Sequence, residues 1–215
     1  MKNLLYKELR LAMHPTCIIF LSLSAMLLIP NYPYYVTFFY TTLGVFFTCL
    51  TARENHDIFY TVSLPIQKRD MVKARICLVV LVELAQVIVS VPFAMIRQTY
   101  PLPGNAVGMD ANIAFYGFSL LMMAIFNYVF FVNYYRNPEK VGKYFGIAST
   151  IEFIVMGIFL TCDHVVPFCR DILDTKDPKN LGWKLIVLAA GIVIYACINL
   201  LAYQKASKSF EKLDL

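Results

Sequence analysis

Charged residues are scarce in this chain of 215 residues. Asp, Glu, Lys and Arg make up 15% of it and hydrophobic residues 59%, whereas soluble domains carry roughly 25% and 45–50%. The mean hydropathy is +0.62. This balance excludes a soluble enzyme or a soluble binding module, because such domains keep their surface hydrated with charged side chains. The composition predicts an integral membrane protein.

The chain also lacks a phosphate-binding loop. None of its nine glycines begins the pattern GxxxxGK followed by Ser or Thr, in which backbone amides and a lysine hold nucleotide phosphates. We therefore expect neither a nucleotide site nor a cofactor in this chain. If ATP drives the protein, ATP and its Mg²⁺ bind to another polypeptide.

Metal-binding and catalytic motifs are missing as well. The three histidines, His14, His56 and His164, are dispersed and show neither HExxH nor HxxxH spacing, which zinc sites on a helix require. The long apolar segments carry only two charged residues, Glu83 and Glu152, which are distant in sequence. We expect a protein that is not an enzyme. A polytopic membrane enzyme stays open as an alternative, because two carboxylates can perform acid–base chemistry.

Six apolar segments predict an all-α fold with six transmembrane helices, each of which needs about 20 residues. We place them at residues 15–30, 34–52, 76–96, 111–135, 144–162 and 185–204. The first segment is short, so we expect its helix to begin near Leu11 and to include Pro15 in its first turns. The connections are short, and residues 1–215 therefore form a single transmembrane domain.

The distribution of Lys and Arg predicts the orientation, because short loops rich in these residues stay on the cytoplasmic side. Of the 19 Lys and Arg residues, 14 fall in four segments that would share one side, and five fall in the remaining loops. We expect both termini in the cytoplasm and residues 163–184 as the largest extracellular loop. The inner segments are residues 1–14, 53–75, 136–143 and 205–215.

The first inner segment, residues 1–14, has leucines at helical spacing with Lys2, Lys7 and Arg10 between them. This pattern predicts an amphipathic helix that lies in the inner membrane interface and contacts lipid. A plain positively charged anchor is the alternative.

The most basic loop, residues 53–75, connects the second and third segments. Residues 54–62 are long enough for about two helical turns. Pro65 ends that helix because it lacks a backbone donor and disfavours helical backbone at Leu64. Phe59 and Tyr60 lie among its polar residues. A short helix that presents aromatic rings on the inner face suits the docking of a soluble partner, and an ordinary solvated connection is the alternative.

The motif around Pro65 resembles a known family. SLPI at residues 63–66, Arg69 and VKAR at residues 72–75 are similar to the signature that follows the coupling helix in ABC-2 type transporter permeases. Arg53 and Glu54 match the polar start before that helix. The resemblance is strongest to the short six-helix permeases of bacterial peptide exporters, in particular those that export phenol-soluble modulins. The Gly-Thr pair of many members is replaced by NHD at residues 55–57.

This resemblance implies a function in a bacterial plasma membrane. Such a permease would pair with a second copy or a sibling permease and with two cytoplasmic ATPase subunits. It would export amphipathic or antimicrobial peptides, or other hydrophobic compounds, while the partner hydrolyses ATP. Asp57 is expected as a rim charge of the ATPase-coupling interface. The residues that match this interface are Glu54, Asp57, Ile58, Phe59, Tyr60, Leu64, Pro65 and Arg69.

Two other classes of function stay open beside the permease. A non-transporting membrane scaffold or sensor subunit would need no ATPase, and a membrane enzyme would need a catalytic constellation. Nucleic acid is not expected as a partner, because the basic residues lie in short loops between apolar segments.

Glu83 and Glu152 are candidates for a substrate cavity, because a charge inside a bilayer is costly and is commonly functional. Each lies seven or eight residues from the inner end of its segment, at a similar depth of roughly 10–12 Å. Gln86 shares a helix face with Glu83. We expect either a common cavity that meets a cationic helical peptide, or two hydrogen bonds between helices.

Met122 and Phe126 in the fourth segment are further candidates for substrate contact. Soft methionines and flat aromatic rings suit a surface that accepts varied apolar partners. Packing against lipid or the core is the alternative.

Two of the six cysteines, Cys162 and Cys169, fall at the start of the expected extracellular loop. A disulfide forms readily outside the cell. The spacing alone is compatible with a disulfide and with two free thiols, because it says nothing about geometry.

Overall fold

The computed structural model describes residues 2–100 and 104–213, and over these residues it is helical without a strand. The all-α fold is therefore confirmed. Five helices are long and apolar enough to cross a membrane. These long helices are α3 (Val36–Glu54), α5 (Lys68–Thr99), α6 (Ile113–Tyr134), α7 (Val141–Val165) and α8 (Leu181–Glu211). The short helices are α1 (Lys2–Lys7), α2 (Thr16–Leu21) and α4 (Asp57–Val62).

The first expected span is broken rather than continuous. Helix α1 continues as a π-helical turn, Glu8–Ala12, and α2 continues as a 3-10 helix, Ser22–Leu28. The two halves meet at 85°, so the chain has five spans, or six if this bent pair crosses the bilayer. The expected helix from Leu11 through Pro15 is wrong. Pro15 instead precedes the first residue of α2, because proline cannot donate the hydrogen bond that a continuing helix needs.

The N-terminal segment Lys2–Ala12 is helical, as expected for residues 1–14, and two of its faces differ. Leu4 and Glu8 are buried, whereas Tyr6 and Leu11 are exposed. Contact of the exposed face with lipid stays a prediction.

Helix α6 forms the centre of the bundle, where α8 crosses it closely. A Cβ atom on Gly117 would lie 2.7 Å from the carbonyl oxygen of Val187, and one on Gly191 would lie 2.5 Å from that of Gly117. Only glycine fits at these positions, and the missing side chains let the two backbones touch. This contact fixes α8 against the helix that carries Met122 and Phe126.

The predicted inner loop, residues 53–75, is more helical than its polarity indicated. Helix α3 ends at Glu54, α4 begins at Asp57, and the basic residues from Lys68 onward form the first turns of α5. The chain passes from α3 to α4 through His56, whose φ of 52° lies in the left-handed region. The inner loop therefore connects two spans through one short helix, α4, and the two short joints on either side of it.

The last outer loop is shorter than predicted, and hydrogen bonds from the backbone amides of Met109 and Asp110 to Asp163 and Asp174 join it to the preceding outer loop. Helix α7 extends into the expected loop 163–184 as far as Val165, and Cys169–Leu173 forms a further helical turn. Cys162 and Cys169 are both free thiols, so the structure does not contain the disulfide that was considered.

Candidate functional site

Helix α4 presents two aromatic rings to solvent at the end of the bundle that the charge distribution predicts to be the inner one. Phe59 is 48% exposed and Tyr60 is 67% exposed. A helix of six residues is too short to be stable alone, so its opposite face must anchor it. Ile58 is buried in the apolar cluster that also contains Met71 and Val72 of α5. The rings are therefore held outward by a rigid support.

Four charged side chains form a closed ring beneath α4, which we call the charge ring: Lys7, Glu8, Asp57 and Arg75. Lys7 Nζ lies 3.2 Å from Glu8 Oε1 and 2.6 Å from Asp57 Oδ1. The Arg75 guanidinium donates through Nε to Glu8 and through Nη2 to Asp57 Oδ2, the latter at 2.9 Å. Positive and negative charges alternate around the ring, so every neighbouring pair attracts.

The charge ring is largely withdrawn from water. Arg75 is 3% exposed and Glu8 is 4% exposed. The planar guanidinium of Arg75 suits this position because its fixed donors reach two carboxylates at once. Lys7 Nζ also donates to Thr61 Oγ1 at 2.9 Å, which adds a second contact to α4. Loss of any member would leave two largely buried charges with one counter-charge each instead of two, which is unfavourable.

Asp57 is expected at the rim of a partner interface, and the structure shows it paired within the chain. Contact with a partner at this residue stays a prediction. Its carboxylate turns inward to Lys7 and Arg75, and only 17% of its side chain is exposed. Ile58 is also turned inward. The other residues that match the coupling interface lie on the surface: Glu54, Phe59, Tyr60, Leu64, Pro65 and Arg69.

The sequence reading missed Glu8 as a functional candidate. Leucines and basic residues define the pattern of the first segment, and an acidic residue does not alter that pattern. A signal was present, since Glu8 is the single acidic residue among residues 1–14. A lone acid in a basic interfacial helix commonly requires a cation, here Arg75 of a distant helix.

Inside the bundle, Glu83 and Glu152 each bind side chains of other helices. Glu83 Oε2 accepts hydrogen bonds from Asn127 Nδ2 of α6 at 3.0 Å and from the Tyr195 hydroxyl of α8 at 2.5 Å. Glu152 Oε2 of α7 accepts a hydrogen bond from Thr42 Oγ1 of α3 at 2.9 Å. Both side chains are 0% exposed. These contacts agree with the interpretation as bonds between helices.

The same interior contains buried acceptor atoms that have no hydrogen-bond partner among the described residues. They include Oε1 of Glu83, Oε1 of Gln86, Oε1 of Glu152 and Oδ1 of Asn127. Gln86 uses its Nε2 to donate to Ser24 Oγ at 2.9 Å. A buried acceptor without a donor is energetically costly. Each of these oxygens is therefore available to accept a hydrogen bond from a bound molecule.

The two apolar candidates for substrate contact are fully buried in separate clusters. Met122 belongs to the cluster near the outer end, and Phe126 belongs to the cluster near the inner end. Glu83 is hydrogen-bonded to α6 through Asn127, the residue that follows Phe126 in the chain. In this conformation the candidate substrate residues thus lie inside a closed bundle.

The match to a family model spans almost all of these elements. The model for the ABC-2 family transporter protein covers residues 3–211, from α1 through the last turn of α8, and includes α4 and the charge ring. No curated protein matches the chain, and no solved structure matches it. A match over nearly the whole length, on an all-helical membrane bundle, shows that the chain belongs to the ABC-2 family of transporter proteins.

Proposed function

We propose that this chain is the permease subunit of an ABC exporter that moves amphipathic peptides out of a bacterial cell. Its family supports a membrane-spanning permease subunit of an ABC transporter and a partnership with ABC ATPase subunits. The peptide cargo, the outward direction, the plasma membrane and the cytoplasmic position of both termini are our proposals. The permease binds no nucleotide itself, and the ATPase partner supplies ATP and Mg²⁺.

The observation that carries the proposal is the exposed aromatic pair on an anchored helix. Phe59 and Tyr60 point away from the bundle, while Ile58 and the charge ring hold α4 from behind. A crevice beside Phe59, lined also by His56 and Glu139, separates α4 from the next inner connection. A cleft in the ATPase that receives the two rings would gain most of its affinity from them, because interface energy is concentrated in a few aromatic residues.

The bundle interior supports an amphipathic and cationic cargo. The unpartnered oxygens of Glu83, Gln86 and Glu152 are all acceptors, and the ammonium groups of a cationic peptide are donors. Met122 and Phe126 would face the apolar side of the same peptide once the bundle opens. A neutral, purely apolar cargo would leave the acceptors unsatisfied.

The outer faces of two helices support assembly with a second permease copy or a sibling permease. In the apolar 18-residue stretch of each span, 17% of α7 and 22% of α8 is buried within this chain, compared with 67% of α6. These faces are left for lipid and for a partner permease. We propose two permeases and two ATPase subunits in the complex.

Co-expression and co-purification with an ABC ATPase subunit test the proposal, and an ATPase encoded beside this chain would be the first to try. Phe59→Ala should weaken the complex roughly five- to hundredfold, on the order of 1–3 kcal/mol, because a ring that fills a cleft is lost. Insertion should be normal, since the exposed ring contributes little to the fold. Tyr100→Ala is the matched control, because Tyr100 is similarly exposed at the other end of α5.

Two results would contradict the proposal at different points. Equal recovery of the ATPase with wild type and with Phe59→Ala would mean that α4 is a mere connection. Failure of the wild-type chain to retain any ATPase would favour the non-transporting scaffold or sensor subunit instead.

A further inference from the structure

We infer that Arg75 is a positioning residue that makes the N-terminal helix, α4 and α5 move as one unit during coupling to the ATPase. This inference rests on the proposed docking of the ATPase at α4. According to this inference, the charge ring transmits movement from the docked ATPase at α4 to the membrane spans.

The closed geometry of the charge ring carries the argument. Lys7 and Glu8 belong to the N-terminal segment, Asp57 to α4 and Arg75 to α5. If α4 moved alone, Asp57 would lose both Lys7 and Arg75. If α5 or the N-terminal segment moved alone, two ion pairs would likewise break. No single element can leave the ring without breaking half of its ion pairs.

Burial makes those separate movements unfavourable. Arg75 and Glu8 are almost inaccessible to water, so water cannot replace a lost partner there. A joint movement of the three elements keeps all four pairs and costs none of this energy. Exposed ion pairs would not impose such a constraint, because solvent screens them and replaces their contacts.

Helix α5 then carries the movement into the bundle. It contains 32 residues, which correspond to about 48 Å of helix, and its one internal proline, Pro92, lies beyond Glu83 on the outer side. Along it lie Arg75 in the ring, then Glu83 with its bonds to α6 and α8, then Arg97, which is paired with Asp110 at the outer end. A displacement of α4 thus reaches the candidate cargo residues through one helix.

Arg75→Lys tests the inference in the complete complex in lipid nanodiscs. Lysine keeps the charge but cannot bind Glu8 and Asp57 with one planar fork. We expect the amount of bound ATPase to stay within about twofold of wild type, since Phe59 and Tyr60 are untouched. Stimulation of ATP hydrolysis by a synthetic cationic amphipathic helix of Lys and Leu should fall about tenfold, as expected for loss of a coupling free energy.

Arg170→Lys is the matched control, because Arg170 forms an exposed pair with Asp171 at 2.9 Å at the opposite end. It should change neither the bound ATPase nor the stimulation by more than about twofold. Stimulation of Arg75→Lys equal to that of wild type would overturn the inference. If the wild-type chain itself failed to retain the ATPase, the proposed function would fail, which is a distinct result.

Chemical rescue decides the case in which Arg75→Lys does not fold. The double variant Lys7→Cys and Asp57→Cys removes the pair that joins the N-terminal segment to α4, and a short bifunctional maleimide then replaces it by a covalent link. We expect stimulation to be low before linking and restored after it, because the two elements move together. Wild type treated with the same reagent controls for reaction at the native cysteines. Unchanged low stimulation, or complete arrest after linking, would overturn the inference.

Discussion

Helix α5 has a buried arginine near each end, and the two ends differ in what the arginine binds. Arg75 at the inner end binds acidic residues of two other helical elements. Arg97 at the outer end binds Asp110, which follows in the next loop of the same chain segment. The inner arginine therefore forms ion pairs with two other helical elements, whereas the outer one pairs with the loop that follows its own helix and lies over the Tyr34 ring, 4.9 Å from its centroid.

The outer end is closed largely by bonds between side chains and loop backbone. Lys184, which is 0% exposed, donates through Nζ to Asp177 Oδ1 at 2.7 Å and to the Thr175 carbonyl oxygen at 2.5 Å. Asp174 Oδ1 accepts from the Asp110 backbone amide at 2.8 Å, and burial raises the pKa of this carboxyl. Asp163 Oδ2 accepts in the same way from the Met109 amide at 3.0 Å.

The difference teaches that similar buried charges have different mechanical consequences. Side chains that join separate helices create a unit that moves together, which suits transmission. Side chains that bind loop backbone hold a fixed cap, which suits closure. The second arrangement has loops folded over it, whereas the first supports the short helix α4 from behind.

The comparison depends on which end faces the cytoplasm, and thiol labelling gives an all-or-none answer. In a background without native cysteines, Asn55→Cys should resist a membrane-impermeant maleimide in intact cells, whereas Asp171→Cys should react. Both positions are exposed, so accessibility alone does not explain a difference. The reason is the excess of Lys and Arg on the inner loops. Labelling at position 55 but not at position 171 would mean that the predicted orientation is wrong.

Removal of the buried cation at the outer end should lower stability without affecting docking. Lys184→Met removes the cation that pairs with Asp177 and donates to the Thr175 carbonyl oxygen, and we expect a loss of about 3 kcal/mol in the free energy of unfolding. Thermal unfolding in detergent measures this loss, and Lys179→Met is the control at an exposed lysine of the same loop. The bound ATPase should stay at the wild-type level. A parallel loss of ATPase binding in a folded variant would remove the distinction between the two ends.

The smallest effect on stability is expected midway along α5. Glu83→Gln keeps the shape and the acceptor for Tyr195, so the free energy of unfolding should change by less than about 1 kcal/mol. Export into proteoliposomes or from cells should fall about threefold or more for a cationic amphipathic peptide and less for a neutral one, because the negative group is lost. Asp171→Asn, at an exposed carboxylate of the loop between α7 and α8, is the control. An equal decrease for both peptides would assign Glu83 a purely interhelical role.

The sequence predicted the parts of this protein that depend on local pattern. Apolar runs of about 20 residues must satisfy their backbone hydrogen bonds internally in a membrane, so they predict helices without knowledge of neighbours. The helix at α4 and its end before Pro65 also follow from local backbone rules. The expectation of a continuous first helix with Pro15 in its first turns is wrong, because the chain bends by 85° between the two helical halves that flank Pro15.

Only the tertiary structure decided which polar groups meet. Glu8 and Arg75 are 67 positions apart, and Glu83 and Tyr195 are 112 apart, so no periodicity along the chain relates them. Asp57 looked like a surface charge because its sequence neighbours are polar, yet packing of Ile58 against α5 turns it inward to Lys7 and Arg75. Burial assigns each charge its partner, since a charge withdrawn from water must find an opposite charge or a hydrogen bond within reach. The packing of the helices sets which groups lie within reach of one another. The positions of the helices along the sequence do not determine that packing.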